Sequence, residues 1–282
     1  MLGAGGLLGA DLVPYLMSKG YTVATHGRGS GDYKFALNST ELVNQTLDKI
    51  SPDYVVNLVG LTDVDQCERE PNQAYADNVR SVENVTNWLS KKNGLVHLIH
   101  ISTDQVYDGS GIHTESNVTL TNYYAFSKYA GELVASKVGA TVLRTNFFGR
   151  SHCGKRTSLT DWLFGALSKK ESIRVFEDVQ FSPLSMSTLV ELIEVCIRKK
   201  PSGIFNVGTK NGFSKADFAF SFARHLNLRN DKMERTTTDQ VTFLKTYRPK
   251  DMRMDCSLFE KSMGVSMPNL EDEIIKVAKE YV

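Results

Sequence analysis

The chain predicts an α/β fold: a doubly wound parallel sheet followed by a smaller C-terminal lobe. Three observations point there. Apolar strand-like runs alternate with helix-like intervals through the first half. A glycine-rich turn, Gly3-x-x-Gly6-x-x-Gly9, opens the first helical interval. The length of 282 residues suffices for one large core or two unequal lobes. Together these describe a Rossmann-type nucleotide-binding half with an appended lobe.

Taken in order, helical patterns fall at about 7–19, 40–50, 72–92 and 123–137, and strands at Tyr21–Thr25, Asp53–Val59, Leu95–Ile101 and Ala140–Leu143. Pro14 sits inside the first helix and should bend it or remove one backbone bond. The second half is less regular. Leu189–Arg198 is helical, Gly203–Val207 a strand, Ser214 an N-cap for a helix over about 215–226, and Leu270–Tyr281 the last helix. The expected division is residues 1–145 plus a returning segment at about 178–208 for the nucleotide-binding domain. About 146–177 and 209–282 then form a substrate lobe.

Charge and composition exclude several classes. With 33 Lys plus Arg against 32 Asp plus Glu, the net charge is +1, and nothing predicts a nucleic-acid or membrane surface. No apolar run approaches a spanning helix, and no leader precedes the glycines. Cys67, Cys153, Cys196 and Cys256 are widely spaced, as suits reduced thiols, so a cytoplasmic location is expected. No metal site is expected either. His97 and His100 lie three apart on a strand and point to opposite faces, and His152-Cys153 has no partner at ligand spacing.

The glycine loop is the first piece of chemistry. Gly3, Gly6 and Gly9 let the backbone turn tightly and approach a pyrophosphate, and the amides around Leu7 and Leu8 at the helix start face that anion. Only Met1-Leu2 precede it, where a central strand of about five or six residues is expected. The expectation is a natural start several residues upstream; the alternative is a shortened first strand. After the second strand, Arg28 stands with no carboxylate at hand where NAD sites place an acid. A cation there suits the 2′-phosphate of NADP.

The second piece is Tyr124-Ala125-Phe126-Ser127-Lys128, behind Ser102-Thr103-Asp104 at the end of an apolar strand. Tyrosine can protonate a ketone oxygen, but its pKa of about 10 makes it a reluctant donor and acceptor. A lysine four residues on shares its helix face, lowers that pKa, and reaches the ribose of a nicotinamide nucleotide. Thr103 leaves the strand where open α/β sheets bind ligands, and its hydroxyl can reach the same oxygen.

At this point the chain strongly resembles the dTDP-4-dehydrorhamnose reductase family of extended short-chain dehydrogenases/reductases. The likeness rests on GAGGLLG at 3–9, PDYVVNLVGLTDVDQCEREP at 52–71, AYADNV with Asn78, and ISTDQVYDG at 101–109. It continues through YAFSKYAGE at 124–132, LRTNFFG at 143–149, GIFNVG at 203–208 and YRPKDMRMDCS at 247–257. The resemblance implies Thr103, Tyr124 and Lys128 as catalytic residues, with Asn78 supporting them. Asn57, Gly60 and Ser102 would line an NADP groove, and Thr103, Asp104, Phe147 and Arg248 would meet a nucleotide-sugar substrate. Lys245, Arg248, Lys250 and Arg253 form a basic cluster, of which the resemblance assigns Arg248 to the sugar nucleotide's diphosphate. A homodimer is compatible with it.

The sequence also departs from the family. Ala36-Leu37 replaces its Asp-Leu at the adenine, and Phe147 a common tryptophan in the sugar cleft. The implied activity is NADPH-dependent reduction of a 4-keto-6-deoxy sugar nucleotide, most simply dTDP-4-dehydro-L-rhamnose to dTDP-L-rhamnose. Thr103-Asp104-Gln105, where related 4,6-dehydratases read Thr-Asp-Glu, argues against elimination. Two alternatives stay open: a reductase of a UDP-linked keto amino sugar, and a non-catalytic NADP-binding subunit similar to the methionine adenosyltransferase regulatory subunit.

Overall fold

A computed structural model describes residues 1–92 and 94–282. Helix α1 (Leu7–Ser18) runs unbroken through Pro14 and buries Leu8, Gly9, Leu12 and Leu16. Strands β1 (His26–Gly27) and β2 (Tyr33–Lys34) form a short parallel pair. Helix α2 (Thr40–Ile50), capped by Ser39, leads to β3 (Tyr54–Asn57). Helices α3 (Val64–Arg69) and α4 (Pro71–Tyr75) follow, and one π-helical turn, Ala76–Arg80, joins α4 to α5 (Ser81–Ser90). Strand β4 (His97–Thr103) and helix α6 (Tyr123–Ser136) precede β5 (Thr141–Thr145).

The remainder alternates short strands and helices: β6 (Phe147–Phe148), α7 (Leu159–Ser168), β7 (Ile173–Phe176), β8 (Gln180–Phe181), β9 (Leu184–Ser185) and α8 (Met186–Lys199). Then come β10 (Gly203–Val207), β11 (Phe213–Ser214), α9 (Lys215–His225), β12 (Met233–Thr236), α10 (Ser257–Met263) and α11 (Leu270–Ala278).

The central sheet runs β10-β5-β4-β3, all parallel. Its register pairs Asn57 with His100, Thr103 with Thr145, and Thr145 with Val207. The carboxyl ends of β4, β5 and β10 therefore share one edge, and the loops leaving them converge above it.

The expected strand at Tyr21–Thr25 is not formed. The first-strand place between that segment and β3 is taken by Leu2 alone, which bridges His26 on one side and Asn57 on the other. Leu2 donates to Val56 O at 2.9 Å and accepts from Leu58 N at 3.0 Å, while His26 N donates to Met1 O. With one residue between them, residues 21–25 have no ladder to join, and strand pairing starts only at His26. Next to this rung lies a cavity of about 420 Å³, lined by residues of 20–24, 52–56 and α2. The Met1 ammonium donates to Ala24 O at 2.6 Å, and burial lowers its pKa to about 6.

Apolar burial falls into separate clusters. One joins α1, α8, β4, β5 and β10, and another packs α2, α5 and β3 against the opposite sheet face. A third is aromatic-rich, with Phe148, Phe181, Phe218 and Phe222 buried between α7, α9 and α11. Fully burying one such side chain contributes roughly 1.5–3 kcal/mol, so each cluster is a substantial core. Val179 and Phe181 pack in the third cluster and Leu184 in the first, so the chain recrosses at about 182–184.

Candidate active site

Thirteen predicted residues line one cleft of about 660 Å³: Gly3, Gly6, Leu7, Leu8, Gly9, Arg28, Gly60, Ser102, Thr103, Asp104, Tyr124, Lys128 and Phe147. Asn57 lies just beneath it, fully buried, and Arg248 lies outside its lining.

The glycine loop is built for close backbone approach. Gly3 has φ +81°, and a Cβ at Gly9 would sit 2.4 Å from Ala4 O. Helix α1 starts at Gly6 with no side-chain cap and no acid in its first turn. The amides of Leu7 and Leu8 have no acceptor among the described residues. Unpaired donors at the positive end of a helix, under a surface clear of side chains, fit a pyrophosphate. Arg28 is exposed at the far end of the cleft, 3.6 Å from Asp77. Ala36, Leu37 and Asn38 line the same end, and Asn84 holds the Leu37 carbonyl at 2.8 Å.

Helix α6 positions the Tyr124–Lys128 pair. Asn122 caps its first turn by accepting from Ala125 N at 2.8 Å, and Glu68 accepts from Tyr123 N at 3.1 Å. Both Tyr124 and Lys128 are buried, and Lys128 Nζ donates to Ile101 O at 2.7 Å. Burial brings the Lys128 pKa down to about 8.

Tyr124 differs from expectation. Its pKa is raised well above 10, by burial first, with the Thr103 hydroxyl pulling down and the Asp104 and Cys67 charges pushing up. The expected lowering by Lys128 is absent. The ammonium is bound to the Ile101 carbonyl, and desolvation of a phenolate outweighs it. Tyr124 is therefore a neutral phenol across the physiological range. That is the protonation state a proton donor needs.

Thr103 Oγ1 accepts from Gln105 N at 3.2 Å and donates to Asp104 at 3.3 Å. Asp104 is buried, holds Asn146 Nδ2 at 2.8 Å, and has its pKa raised by burial to about 6.

Asn78, in the π turn, braces this arrangement. Its Oδ1 accepts from Leu61 N at 2.7 Å, and its Nδ2 donates to Ser127 Oγ at 2.8 Å. One side chain thus ties the Gly60–Leu61 loop to α6. A Cβ on Gly131 would lie 2.5 Å from Asn78 O, so only glycine lets the helix and the π turn meet this closely. Behind the strand, Asn57 Nδ2 meets His100 Nδ1 at 3.2 Å, and burial keeps His100 neutral.

Ser102 Oγ donates at 2.5 Å to Glu132, which forms a buried ion pair with Arg144 at 2.7 Å. His97, at the start of the same strand, lies 2.8 Å from Thr141 Oγ1 on β5.

The basic cluster is largely paired. Arg248 binds Asp65 at 2.9 Å, Arg253 binds Asp251 at 2.6 Å, and Lys250 pairs with Asp178. Sequence reasoning missed other cleft residues. Lys155, Arg156, Asn146 and Asp77 line it, and Lys215 lies within electrostatic reach of Asp104 and Arg248. Asp77 and Asn146 lie inside the AYADNV and LRTNFFG segments, whereas Lys155, Arg156 and Lys215 have no spacing signature and arrive through long-range packing.

The chain is similar over nearly its whole length to known proteins. Over 99% of this chain and 96% of the relative, it is 26% identical to dTDP-4-dehydrorhamnose reductase of Escherichia coli strain K12. It is likewise 26% identical to the probable low-salt glycan biosynthesis reductase Agl14 of Haloferax volcanii, over 96% of this chain and 94% of that one. A solved dTDP-4-dehydrorhamnose reductase from Bacillus anthracis, in complex with NADP, superposes with a TM-score of 0.89 at 23% identity, covering 99% and 97% of the two chains. The family model described as the RmlD substrate binding domain matches residues 1–282, and the chain belongs to that family.

Proposed function

We propose that this protein uses NADPH to reduce the C4 ketone of a nucleotide-linked 4-keto-6-deoxy sugar, most simply dTDP-4-dehydro-L-rhamnose to dTDP-L-rhamnose. The observation that carries this is a buried, neutral Tyr124 phenol beside Thr103 and one helical turn from Lys128, in a cleft whose lining also takes in the glycine turn with its unpaired Leu7 and Leu8 amides. NADPH, when bound, supplies the hydride that adds to the carbonyl carbon. Tyr124 donates its proton to the developing alkoxide, and Thr103 helps hold that oxygen. Lys128, held by Ile101 O, holds the nicotinamide ribose and places its charge beside the reacting centre. Gly3, Gly6, Leu7, Leu8 and Gly9 hold the pyrophosphate, Arg28 takes the 2′-phosphate, and Asn57, Gly60 and Ser102 shape the groove. Asp104 and Phe147 face the sugar, and Arg248 would reach the sugar nucleotide's diphosphate by exchanging its bond to Asp65.

In this reading the nucleotide-binding half is 1–145 with the returning segment, the rest forms the substrate lobe, and the protein works in the cytoplasm. No helix among the described residues is long and apolar enough to cross a membrane, which is compatible with that location. A homodimer is the assembly to test.

The experiment is NADPH oxidation by purified protein against a panel of dTDP-linked 4-keto-6-deoxy sugars and UDP-linked keto amino sugars. Turnover on a dTDP substrate, reduced roughly 10²–10⁴-fold in Tyr124→Phe, is expected. NADPH binding without turnover on any panel member would instead favour the non-catalytic subunit, and near-normal Tyr124→Phe turnover would remove Tyr124 from the mechanism.

A further inference from the structure

The loop between β6 and α7 crosses back over the glycine turn and is fastened to it. Cys153 Sγ donates to Gly5 O at 3.2 Å, inside the turn itself. His152 Nδ1 meets Asp11 Oδ1 at 2.6 Å, on the helix that the turn begins. Upstream, Arg150 is tied to Glu280 through its own amide at 2.9 Å. Ser151 Oγ accepts from Cys153 N and donates to Arg156 O at 2.7 Å, which folds the strap into a tight bend.

The bend carries Lys155 and Arg156 into the cleft lining together with Gly5, Gly6 and Leu7. Both cations are exposed, and no carboxylate lies within ion-pair distance of either among the described residues. Of the other cleft cations, Arg28 already faces Asp77 and Lys128 is bound to the Ile101 carbonyl.

We infer that residues 152–156 form a cationic strap that grips the cofactor's pyrophosphate from the side opposite the glycine turn, through Lys155 and Arg156. Charge balance supports this. A helix N-terminus offers roughly half a unit of positive charge, and a pyrophosphate is a dianion, so the turn alone leaves most of that charge uncompensated. Two unpaired cations beside the turn complete it with charge-assisted hydrogen bonds. The strap's anchors select the pyrophosphate over the 2′-phosphate. Both sit on the turn and its helix, whereas Arg28 stands beyond the end of β1. The inference rests on the NADPH reading above, which concerns the same cleft.

The test is equilibrium binding of NADPH, NADH and ADP-ribose to wild type, Lys155→Ala/Arg156→Ala, Lys155→Arg/Arg156→Lys and Arg28→Ala. All three ligands carry the pyrophosphate, and only NADPH carries the 2′-phosphate. The double alanine variant should weaken all three by a similar factor, roughly 10- to 100-fold, and flatten the salt dependence of binding. The charge-preserving variant should bind within a few-fold of wild type, and Arg28→Ala should weaken NADPH alone. Unchanged binding in the double alanine variant, or a loss confined to NADPH, overturns the strap. If wild type binds NADPH but reduces no sugar nucleotide, the reductase reading fails while the strap is still decided by these affinities. No binding by wild type overturns both.

Discussion

Removing the charge of Glu132 should unfold this protein several degrees earlier, although Glu132 touches no ligand. Its side chain is 0% exposed and that of its partner, Arg144, is 1% exposed. The guanidinium is fully engaged: Nε and Nη2 bind the carboxylate at 2.7–3.1 Å, and Nη1 donates to Tyr107 OH at 2.6 Å and Glu115 O at 2.7 Å. Burial disfavours the Arg144 charge, yet the Glu132 contacts raise its pKa above the usual arginine value.

Glu132→Gln keeps the shape and leaves that cation buried without a counter-charge, which costs about 3–5 kcal/mol. With an unfolding entropy of about 2.1 cal/mol/K per residue over 282 residues, the melting temperature should fall by roughly 5–8 °C. Thermal denaturation followed by circular dichroism measures it. The double variant Glu132→Gln/Arg144→Met removes both charges and should recover most of the loss, because a buried pair is worth little against an apolar replacement. A single variant within about 2 °C of wild type, or a double variant less stable than the single, would show that the buried Arg144 charge does not depend on Glu132. Turnover should fall in Glu132→Gln as well, since Ser102, next to Thr103, is hydrogen-bonded to this carboxylate.

Three further outcomes follow from the site. With the Lys128 pKa near 8 in the free protein, kcat/KM should decline above about pH 8 as the ammonium is lost; a flat profile to pH 10 would exclude that role. Linkage gives the sign for stability: the folded pKa lies below the ordinary 10.5, so the unfolded chain holds more protons between about pH 8 and 10.5. In denaturant titrations this group's contribution must therefore rise with pH across that window. Cys153 is the one cysteine of the four that is not buried, so mass spectrometry after brief alkylation should find it modified first, and NADPH should protect it. Preferential labelling of Cys67 would contradict the packing.

The sequence made the reacting groups legible because their chemistry demands fixed local spacing. Tyr124 and Lys128 must share a helix face, and Thr103 must end a strand. It misjudged the Tyr124 environment, since desolvation depends on what packs around a side chain, and Cys67 comes from a distant segment. Residues 21–25 read as a strand by composition, but strand formation needs a neighbour, and Leu2 supplies one rung. The strap was invisible for the same reason: Cys153 and Gly5 are 148 positions apart. The interval 72–92 read correctly as helical, but nothing in it announced the π turn that aims Asn78.

Gly131 sets a dimension of the whole molecule. Because nothing but a hydrogen separates α6 from the Asn78 carbonyl, the width of the cleft is fixed from behind, by a contact that no ligand ever meets. Lys128 sits one turn earlier on that helix, and Gly60 faces it across Asn78, so a single added methyl at position 131 would move the two walls apart together. Tolerance to change is therefore lower at the rear of this site than at its mouth. A sugar pocket reshaped around Phe147 can keep the hydride geometry intact, provided the seam behind it stays closed.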